Sequence, residues 1–388
     1  MSRFKKVFKL RQHTPLIHFQ ADQKGATLRA TELKPRFDRF LREVAPKEAQ
    51  KFIKDKDALD YKIFIEPNGN KYTDIDKRDP LFFGNMKPKD VSPQEWEKKK
   101  KRFKQYGHDF AITFFSYQSK LLELIDHYFE AFLANTNFGT RKSKGFGSFY
   151  LADNKFDPSL IRAERVYSFT ISSDWQNDIG LFYSFLRQGI NRPKIDYNTK
   201  KKIGTRFYAK PLIWSYAKEK GWNWEKRKIK EEFFANELEE QIEQYCNSGA
   251  DNSPVCYSEG TYYILRDLFG LSSEQTWMSY HKAVIKKEHQ TFKRFPSPIQ
   301  FKVIGSEVYF WVNNFYKKLC DQEFTISYRH RHFSLSTPKT FDFNDFFDYV
   351  LEFNQKSKLQ SHIASIYYEK PEFKTLERIF NTLTKVEQ

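Results

Sequence analysis

The sequence is poor in cysteine and has no long hydrophobic run. Its 3 cysteines, Cys246, Cys256 and Cys320, are too few and too irregularly spaced for a zinc site or a disulfide framework. No stretch of about 18 apolar residues occurs, so a membrane-spanning helix is not expected. The start, MSRFKKVFKLRQHTPLIHF, lacks the apolar centre of a signal peptide. We therefore expect a reduced, cytoplasmic protein with no membrane partner.

Metal-ligand patterns are also scarce. His127 and Glu130 form an isolated His-x-x-Glu pair on a predicted helix, with no second pair like it. His330 and His332 alternate on a predicted strand, but no acidic residue or cysteine follows nearby as a third ligand. The sequence thus predicts no metal site and no cofactor.

Acidic residues are in deficit. Asp and Glu number 49 against 66 Lys and Arg, which leaves a net charge of +17 over 388 residues. Such an excess favours a polyanionic partner, with nucleic acid first and an anionic membrane second. Aromatic residues make up 18% of the chain, and those near cations are suited to stacking on bases. A merely basic, soluble protein is the alternative.

Hydrophobic periodicity predicts strand, helix, strand, strand, helix and strand in the first 150 residues. Leu33, Phe37, Phe40, Leu41 and Val44 recur at helical spacing after a possible cap at Thr31. A second helix is expected over 119–134 with Ser119 as its N-cap. This order is that of the ferredoxin-like fold.

The second half predicts another set of strands and helices. Residues 165–173 read as a strand, 175–188 as a helix, and Gly305-Ser306 as the turn of a hairpin. Residues 190–290 are expected to be mostly helical. The predicted fold class is α+β, with tandem ferredoxin-like (RRM-like) domains over 1–160 and 161–388 and a helical insertion at about 190–290.

The densest local charge lies in NFGTRKSKGFGSFYL, residues 137–151. A Walker phosphate loop requires Gly-Lys-Ser/Thr between a strand and a helix, whereas here a helix precedes and a strand follows. The same context argues against the first sheet motif of an RNA-recognition module. The favoured interpretation is a cationic loop whose glycines let nucleic-acid backbone come close; a simple helix-to-strand turn would explain the glycines but not the cations.

FGTRKSKGFGSF resembles the glycine-rich loop of the RAMP superfamily of CRISPR-associated proteins. HTPLIHF followed by ATLRATELKPRFDRFL is similar to the N-terminal part of the first subunit of type III-B (Cmr) effector complexes, and RFPSPIQFKVIGSEVYFWVN is similar to a strand of its second domain. The resemblance covers residues 1–150 and about 290–315, and it places the glycine-rich loop in an N-terminal RAMP domain.

This resemblance implies antiviral defence and a binding rather than a catalytic role. The expected partners are CRISPR guide RNA and target RNA, together with other RAMP subunits of a multi-subunit complex. Carried over by position, the RNA-binding residues are those of the loop, of the start of the first helix and of its surface: Arg141, Lys142, Lys144, Gly145, Gly147, Arg29, Lys34, Arg36 and Arg39.

Two alternatives stay open at this point. Repeat-cleaving RAMP proteins are metal-independent endoribonucleases that process guide precursors, and His13 and His18, with Tyr61 or Lys62, are the candidates for activating a 2′-hydroxyl. A scaffold whose basic face meets another protein is the other alternative. Separately, Trp222 and Trp224 in GWNWEKRKIK would suit either a stacking platform or the core.

Overall fold

The structure is a computed structural model that describes residues 3–17, 28–66, 71–74, 90–99, 103–106, 109–196, 198–199, 202–237, 260–277, 280 and 282–387. Strands and helices are mixed along the chain, which confirms the α+β class. In the described part, no helix is both long and apolar enough to cross a bilayer.

The strands are β1 Lys5–Gln12, β2 Ile53–Asp55, β3 Ala58–Leu59, β4 Lys62–Ile65, β5 Lys71–Asp74, β6 Phe103–Tyr106, β7 Phe110–Phe115, β8 Phe149–Leu151, β9 Val166–Thr170, β10 Ile190–Ile195, β11 Lys202–Ala209, β12 Asn223–Trp224, β13 Tyr262–Tyr263, β14 Leu271–Ser272, β15 Glu274–Trp277, β16 Ala283–Glu288, β17 Arg294–Phe295, β18 Ile299–Ile304, β19 Glu307–Val312, β20 Glu323–Tyr328, β21 Arg331–Ser336 and β22 Thr384–Val386. The helices are α1 Ala30–Val44, α2 Pro46–Gln50, α3 Pro93–Lys99, α4 Ser119–Ala134, α5 Trp175–Arg187, α6 Leu212–Glu219, α7 Glu225–Phe233, α8 Phe343–Leu351, α9 Lys356–His362 and α10 Pro371–Thr382.

The chain divides into two compact units. Unit 1 comprises Met1–Gly180, Gln300–Trp311 and Leu383–Gln388, and unit 2 comprises Leu181–Ile299 and Val312–Thr382. The division differs from the predicted boundary after residue 160. The reason lies in strand pairing, since β19 and β22 both pair with β9 although both follow it by more than a hundred residues.

Unit 1 contains a four-stranded sheet in the order β4-β7-β1-β8. All neighbours in it are antiparallel, with Lys5 opposite Phe115 and Leu10 opposite Leu151. The apolar stripe of α1 packs into the core of this sheet: the ring of Phe37 lies 5.9 Å from that of Phe114 and 4.9 Å from that of Phe132. The 3.6-residue period predicted this burial, because one helix face must leave water.

The two predicted helix caps are displaced by one or two residues. Helix α1 begins at Ala30 with Arg29 as its N-cap, not Thr31, and α4 begins at Ser119 with Gln118 as its N-cap. Neither cap residue makes a side-chain cap hydrogen bond. Burial of the apolar faces therefore decides where these helices begin more than capping does.

A second four-stranded sheet has the order β18-β19-β9-β22. Strands β18 and β19 form the hairpin predicted around Gly305, whose φ is +59°. Strand β18 carries Lys302, which is fully buried, in an otherwise largely apolar stretch. Its ammonium group donates to backbone carbonyls at both ends of the segment between α4 and β8.

The region from 190 to 290 was predicted to be mostly helical, and that prediction is wrong for its described residues. They form the hairpin β10–β11 and strands β14 to β16 as well as helices α6 and α7. Alternation explains the difference: in β16 every second residue is buried, a period of two that no helix can satisfy.

Candidate nucleic-acid interface

The loop between α4 and β8 is held by the segment that follows β1. The Thr14 hydroxyl donates to the Gly145 carbonyl at 2.6 Å and accepts from the Ser148 amide at 2.9 Å. The Gly147 amide donates to the Pro15 carbonyl, and the Thr140 amide to the Ile17 carbonyl. The Thr-Pro segment and the glycine loop, far apart in sequence, thus form one hydrogen-bonded structure in unit 1.

The glycines of this loop are required by packing inside the protein. Gly145 and Gly147 have φ of +87° and +66°, and both are buried. A Cβ on Gly147 would lie 2.0 Å from the Phe138 carbonyl oxygen, and one on Gly145 would lie 3.0 Å from a Val303 methyl. Their predicted role in letting RNA backbone come close is therefore not supported, because the backbone that comes close is that of the protein itself.

The buried side chain of Lys302 lies under the loop. Its Nζ lies within hydrogen-bonding range of the Thr136 carbonyl at 3.1 Å, the Phe149 carbonyl at 3.2 Å and Asn137 Oδ1 at 3.4 Å. Burial, with a smaller effect of the Arg36 charge, lowers the pKa of Lys302 to about 7. The Asn137 amide in turn donates to the carbonyls of Lys142 and Phe301, both at 2.7 Å. These contacts fix both ends of the cationic stretch.

Three predicted RNA-binding residues come together beside the loop. Partial desolvation and then the charge of Arg36 lower the pKa of Lys142; Glu32 opposes the effect and Arg39 adds to it. Lys142 and Arg39 are exposed, whereas Arg36 is half-buried over the ring of Phe138 at 4.8 Å. Glu32 pairs with Arg36 at 3.3 Å and accepts from the Gly139 amide at 2.8 Å, so it links α1 to the loop. We call Arg36, Arg39 and Lys142 the loop cation cluster.

The remaining predicted cations have different surroundings. Arg141 lies 5.8 Å from the ring centre of Phe146 and Lys144 lies 5.6 Å from that of Phe301, so both are half-buried along aromatic rings. Arg29 is half-buried as the N-cap of α1.

Lys34 takes part in a packing contact away from the loop. Its Nζ contacts Asp38 and the Leu59 carbonyl, each at 2.8 Å, and lies 3.8 Å from the ring centre of Tyr61. These contacts hold α1 against β3, so Lys34 does not belong to the same surface as Lys142.

His13 has the wrong proton arrangement for a general base. Its Nδ1 accepts from the Gly305 amide at 3.1 Å, so the proton of the neutral ring lies on Nε2. Desolvation, followed by the charges of Lys302 and Arg11, lowers the pKa of His13 to about 4. The ring is therefore neutral at pH 7 and has no free basic nitrogen. His18, the other predicted catalytic candidate, lies outside the described residues.

Two other kinds of predicted site are the tryptophan stacking platform and a metal site. The structure places Trp224 in the core at 9% exposure, while Trp222 contacts Tyr263 edge-on, so the stacking-platform interpretation does not hold for Trp224. Within the described ranges no group of three or more His, Cys, Asp or Glu side chains is arranged to hold a metal ion.

Two family matches cover most of the chain. The Cmr1 N-terminal domain matches residues 3–190, and the Cmr1 C-terminal domain matches residues 208–375. The chain belongs to the Cmr1 family. This membership confirms the resemblance to the first subunit of the type III-B system and makes the chain a Cmr1 subunit of a CRISPR effector complex. Other Cmr subunits are accordingly the partners that fit it.

A search of solved structures finds a crystal structure of Cmr1 from Pyrococcus furiosus in the apo form. The identity is 10%, the TM-score is 0.34, and the match covers 80% of this chain and 89% of that one. A search of curated proteins gives no match.

The residues that support the loop in Cmr1 could not be predicted from local sequence patterns, with one exception. Thr14, Glu32 and Asn137 each join segments distant in sequence, and no local pattern marks them. The exception is Lys302, a lone lysine within the apolar strand pattern IQFKVI. A lysine that points inward from such a strand must find buried hydrogen-bond acceptors, so the pattern could have indicated its role.

Proposed function

We propose that this Cmr1 subunit is a non-catalytic, cytoplasmic RNA-binding protein that holds guide RNA or the guide–target duplex. The observation that carries the proposal is the loop cation cluster. The charges of Arg36 and Arg39 both lower the pKa of Lys142, and the carboxylate of Glu32 lies near enough to oppose them, so the three cations are neighbours around one acid. Positive charge held together in this way favours phosphate, because each contact releases a condensed counterion.

A rigid support makes the cluster suited to positioning RNA. The loop is tied to the Thr14–Pro15 segment, to Glu32 and to Lys302, so its cations are presented from a fixed frame. Preorganised cations bind with less loss of side-chain freedom than mobile ones. Contacts of this kind fix register on the backbone and do not read bases.

The neutral state of His13 supports the non-catalytic part of the proposal. A 2′-hydroxyl attack needs a group that accepts a proton, and His13 offers only an Nε2–H donor. We expect no cleavage of repeat RNA by the intact protein in EDTA, read on a denaturing gel. Cutting at one position that disappears in His13→Ala would establish the endoribonuclease alternative instead.

The proposal includes a tandem ferredoxin-like architecture with an N-terminal RAMP domain. Its support is the repeated strand order: β4-β7-β1-β8 and β18-β19-β9-β22 each have the third strand of the set between the first and the second. In both, a helix follows the first strand, and a second helix precedes the last. That is the order of the split βαβ fold.

The test is a salt titration of RNA binding. Arg39→Gln with Lys142→Gln removes two exposed cations of the cluster without touching the hydrogen bonds of the loop. Each phosphate that is no longer neutralised should lower the slope of log affinity against log salt by about 0.7 for single-stranded RNA, so the slope should fall by up to roughly 1.4.

Lys120→Gln with Lys155→Gln is the matched control, since both lysines are exposed residues of unit 1. We expect the control to keep nearly the slope of the intact protein. Equal slopes for the two double variants, with both folded by circular dichroism, would show that RNA does not use the loop cation cluster.

A further inference from the structure

We propose that unit 2 carries a second RNA site, specific for unpaired nucleotides, formed by Tyr208, Lys210, Trp214 and Lys218. The proposal rests on the proposed function, in that it assumes an RNA ligand, but it uses a different surface and a different kind of contact. Stacking of a base on an aromatic ring, with phosphate neutralised by flanking lysines, is how sequence-tolerant single-strand sites work.

Two ammonium groups flank one indole. Trp214 and Lys218 are one turn apart on α6, and Lys210 lies between the end of β11 at Ala209 and the start of α6 at Leu212. The Nζ atoms of Lys210 and Lys218 lie 4.5 Å and 4.9 Å from the ring centre of Trp214. The indole is only partly buried, so part of it is accessible to solvent, and a base that stacks on it must displace one of the two flexible lysine side chains.

Lys210 and Lys218 place two like charges on one aromatic ring. Burial and then the charge of Lys218 lower the pKa of Lys210, and no carboxylate contributes to that shift. Among the described residues neither lysine forms a salt bridge, whereas nearby Lys220 pairs with Asp345 at 2.7 Å. Like charges on one ring repel each other, and a bound phosphate between them would turn that repulsion into attraction.

Strand β11 extends the surface. Phe207 and Ala209 are buried at 0% and 1% exposure, so the alternate residues of the strand face outward. That outward face carries Tyr208, which is 44% exposed, followed by Lys210. Tyr208 thus adds an exposed phenol two residues before Lys210.

The chemistry favours single strands over duplex. In a duplex the bases already stack on one another and turn their faces inward, so an aromatic ring gains nothing from them. In an unpaired strand, each nucleotide offers both an accessible base face and a phosphate. A protein partner with acidic side chains would use the lysines but would leave the partly exposed indole without a stacking partner.

The test compares the intact protein with Trp214→Ala, Trp214→Phe and Lys210→Gln with Lys218→Gln. The probes are an unstructured oligouridine and an RNA duplex of equal length, measured by fluorescence anisotropy. Loss of one stacked base should weaken oligouridine binding by about 5- to 150-fold in Trp214→Ala. Trp214→Phe should recover most of it, and duplex binding should change little.

Lys293→Gln with Lys339→Gln is the matched control, because both are exposed lysines of unit 2. If Trp214→Ala fails to fold, the Lys210 and Lys218 double variant decides by its reduced salt slope on oligouridine relative to this control. Unchanged oligouridine binding in folded Trp214→Ala, or equal weakening for oligouridine and duplex, would overturn the stacking site.

The two proposals fail separately. Loss of RNA binding only in the Arg39 and Lys142 double variant would refute the unit 2 site and leave the proposed function intact. Loss only in the Trp214 and Lys210–Lys218 variants would refute the role of the loop cation cluster and support the unit 2 site.

Discussion

The glycine loop allows a sharp steric test at Gly147. Two glycines of unit 1, Gly147 and Gly305, have nearly the same positive φ, +66° and +59°. They differ in space: a Cβ on Gly147 meets a carbonyl oxygen at 2.0 Å, whereas nothing lies within 4 Å of one on Gly305. Replacing each by alanine therefore separates the cost of a positive φ from the cost of the clash.

The φ cost for alanine is about 1–2 kcal/mol, and the stiffer unfolded chain offsets about 0.4–1 kcal/mol of it. Gly305→Ala should thus lower the free energy of unfolding by roughly 1 kcal/mol. Overpacking in a fixed site adds about 1–3 kcal/mol, so Gly147→Ala should cost roughly 2–4 kcal/mol.

Thermal unfolding followed by circular dichroism measures both variants. For a unit of about 200 residues, 1 kcal/mol corresponds to about 2–4 °C in Tm. We expect a fall of roughly 2–4 °C for Gly305→Ala and of roughly 5–15 °C for Gly147→Ala. Equal Tm values for the two variants would refute the inference that the loop is packed tightly against Phe138.

Two further predictions concern the support of the loop. Thr14→Val removes the hydroxyl that bonds to both the Gly145 carbonyl and the Ser148 amide, and it leaves these two buried backbone groups unpaired. The free energy of unfolding in urea should fall by about 1–3 kcal/mol. Thr14→Ser, which keeps the hydroxyl, is the control. The pKa of Lys302 falls from 10.5 to about 7 on folding, so the unfolded chain binds more protons between these values and stability should rise as pH rises from 7 to 10.5. Lys302→Met should have a flatter profile over that range, and an identical profile would contradict the role of Lys302.

Local pattern predicted the elements of unit 1 well. The apolar spacing of Leu33, Phe37, Phe40 and Leu41 predicted a helix face, and all four are buried. The hairpin at Gly305 also followed from two β-rich runs and a turn residue. The caps were predicted less well, because a single hydroxyl such as that of Thr31 contributes less than the burial of a helix face.

The cationic residues of the candidate site were predicted from sequence, but their grouping was not. Lys34 and Arg36 are two residues apart, yet Lys34 contacts Asp38 and Tyr61 while Arg36 lies over Phe138 beside the loop. An α-helix completes one turn every 3.6 residues, so side chains two residues apart point to nearly opposite sides of the helix. Which face meets the loop depends on how α1 packs.

The sequence by itself determined the charge surplus, the α+β class, the helix and strand periods and the membership in the Cmr1 family. These properties follow from the composition and from the order of residues along the chain, because interactions between residues close in sequence set the helix and strand periods. Only the tertiary structure decided that Gly145 and Gly147 face the interior, that His13 is neutral with its Nδ1 occupied, and that Lys302 supports the loop. Each of these depends on partners up to nearly three hundred residues away, such as Gly305 for His13, and burial by such distant segments sets both the space around a glycine and the proton affinity of a side chain.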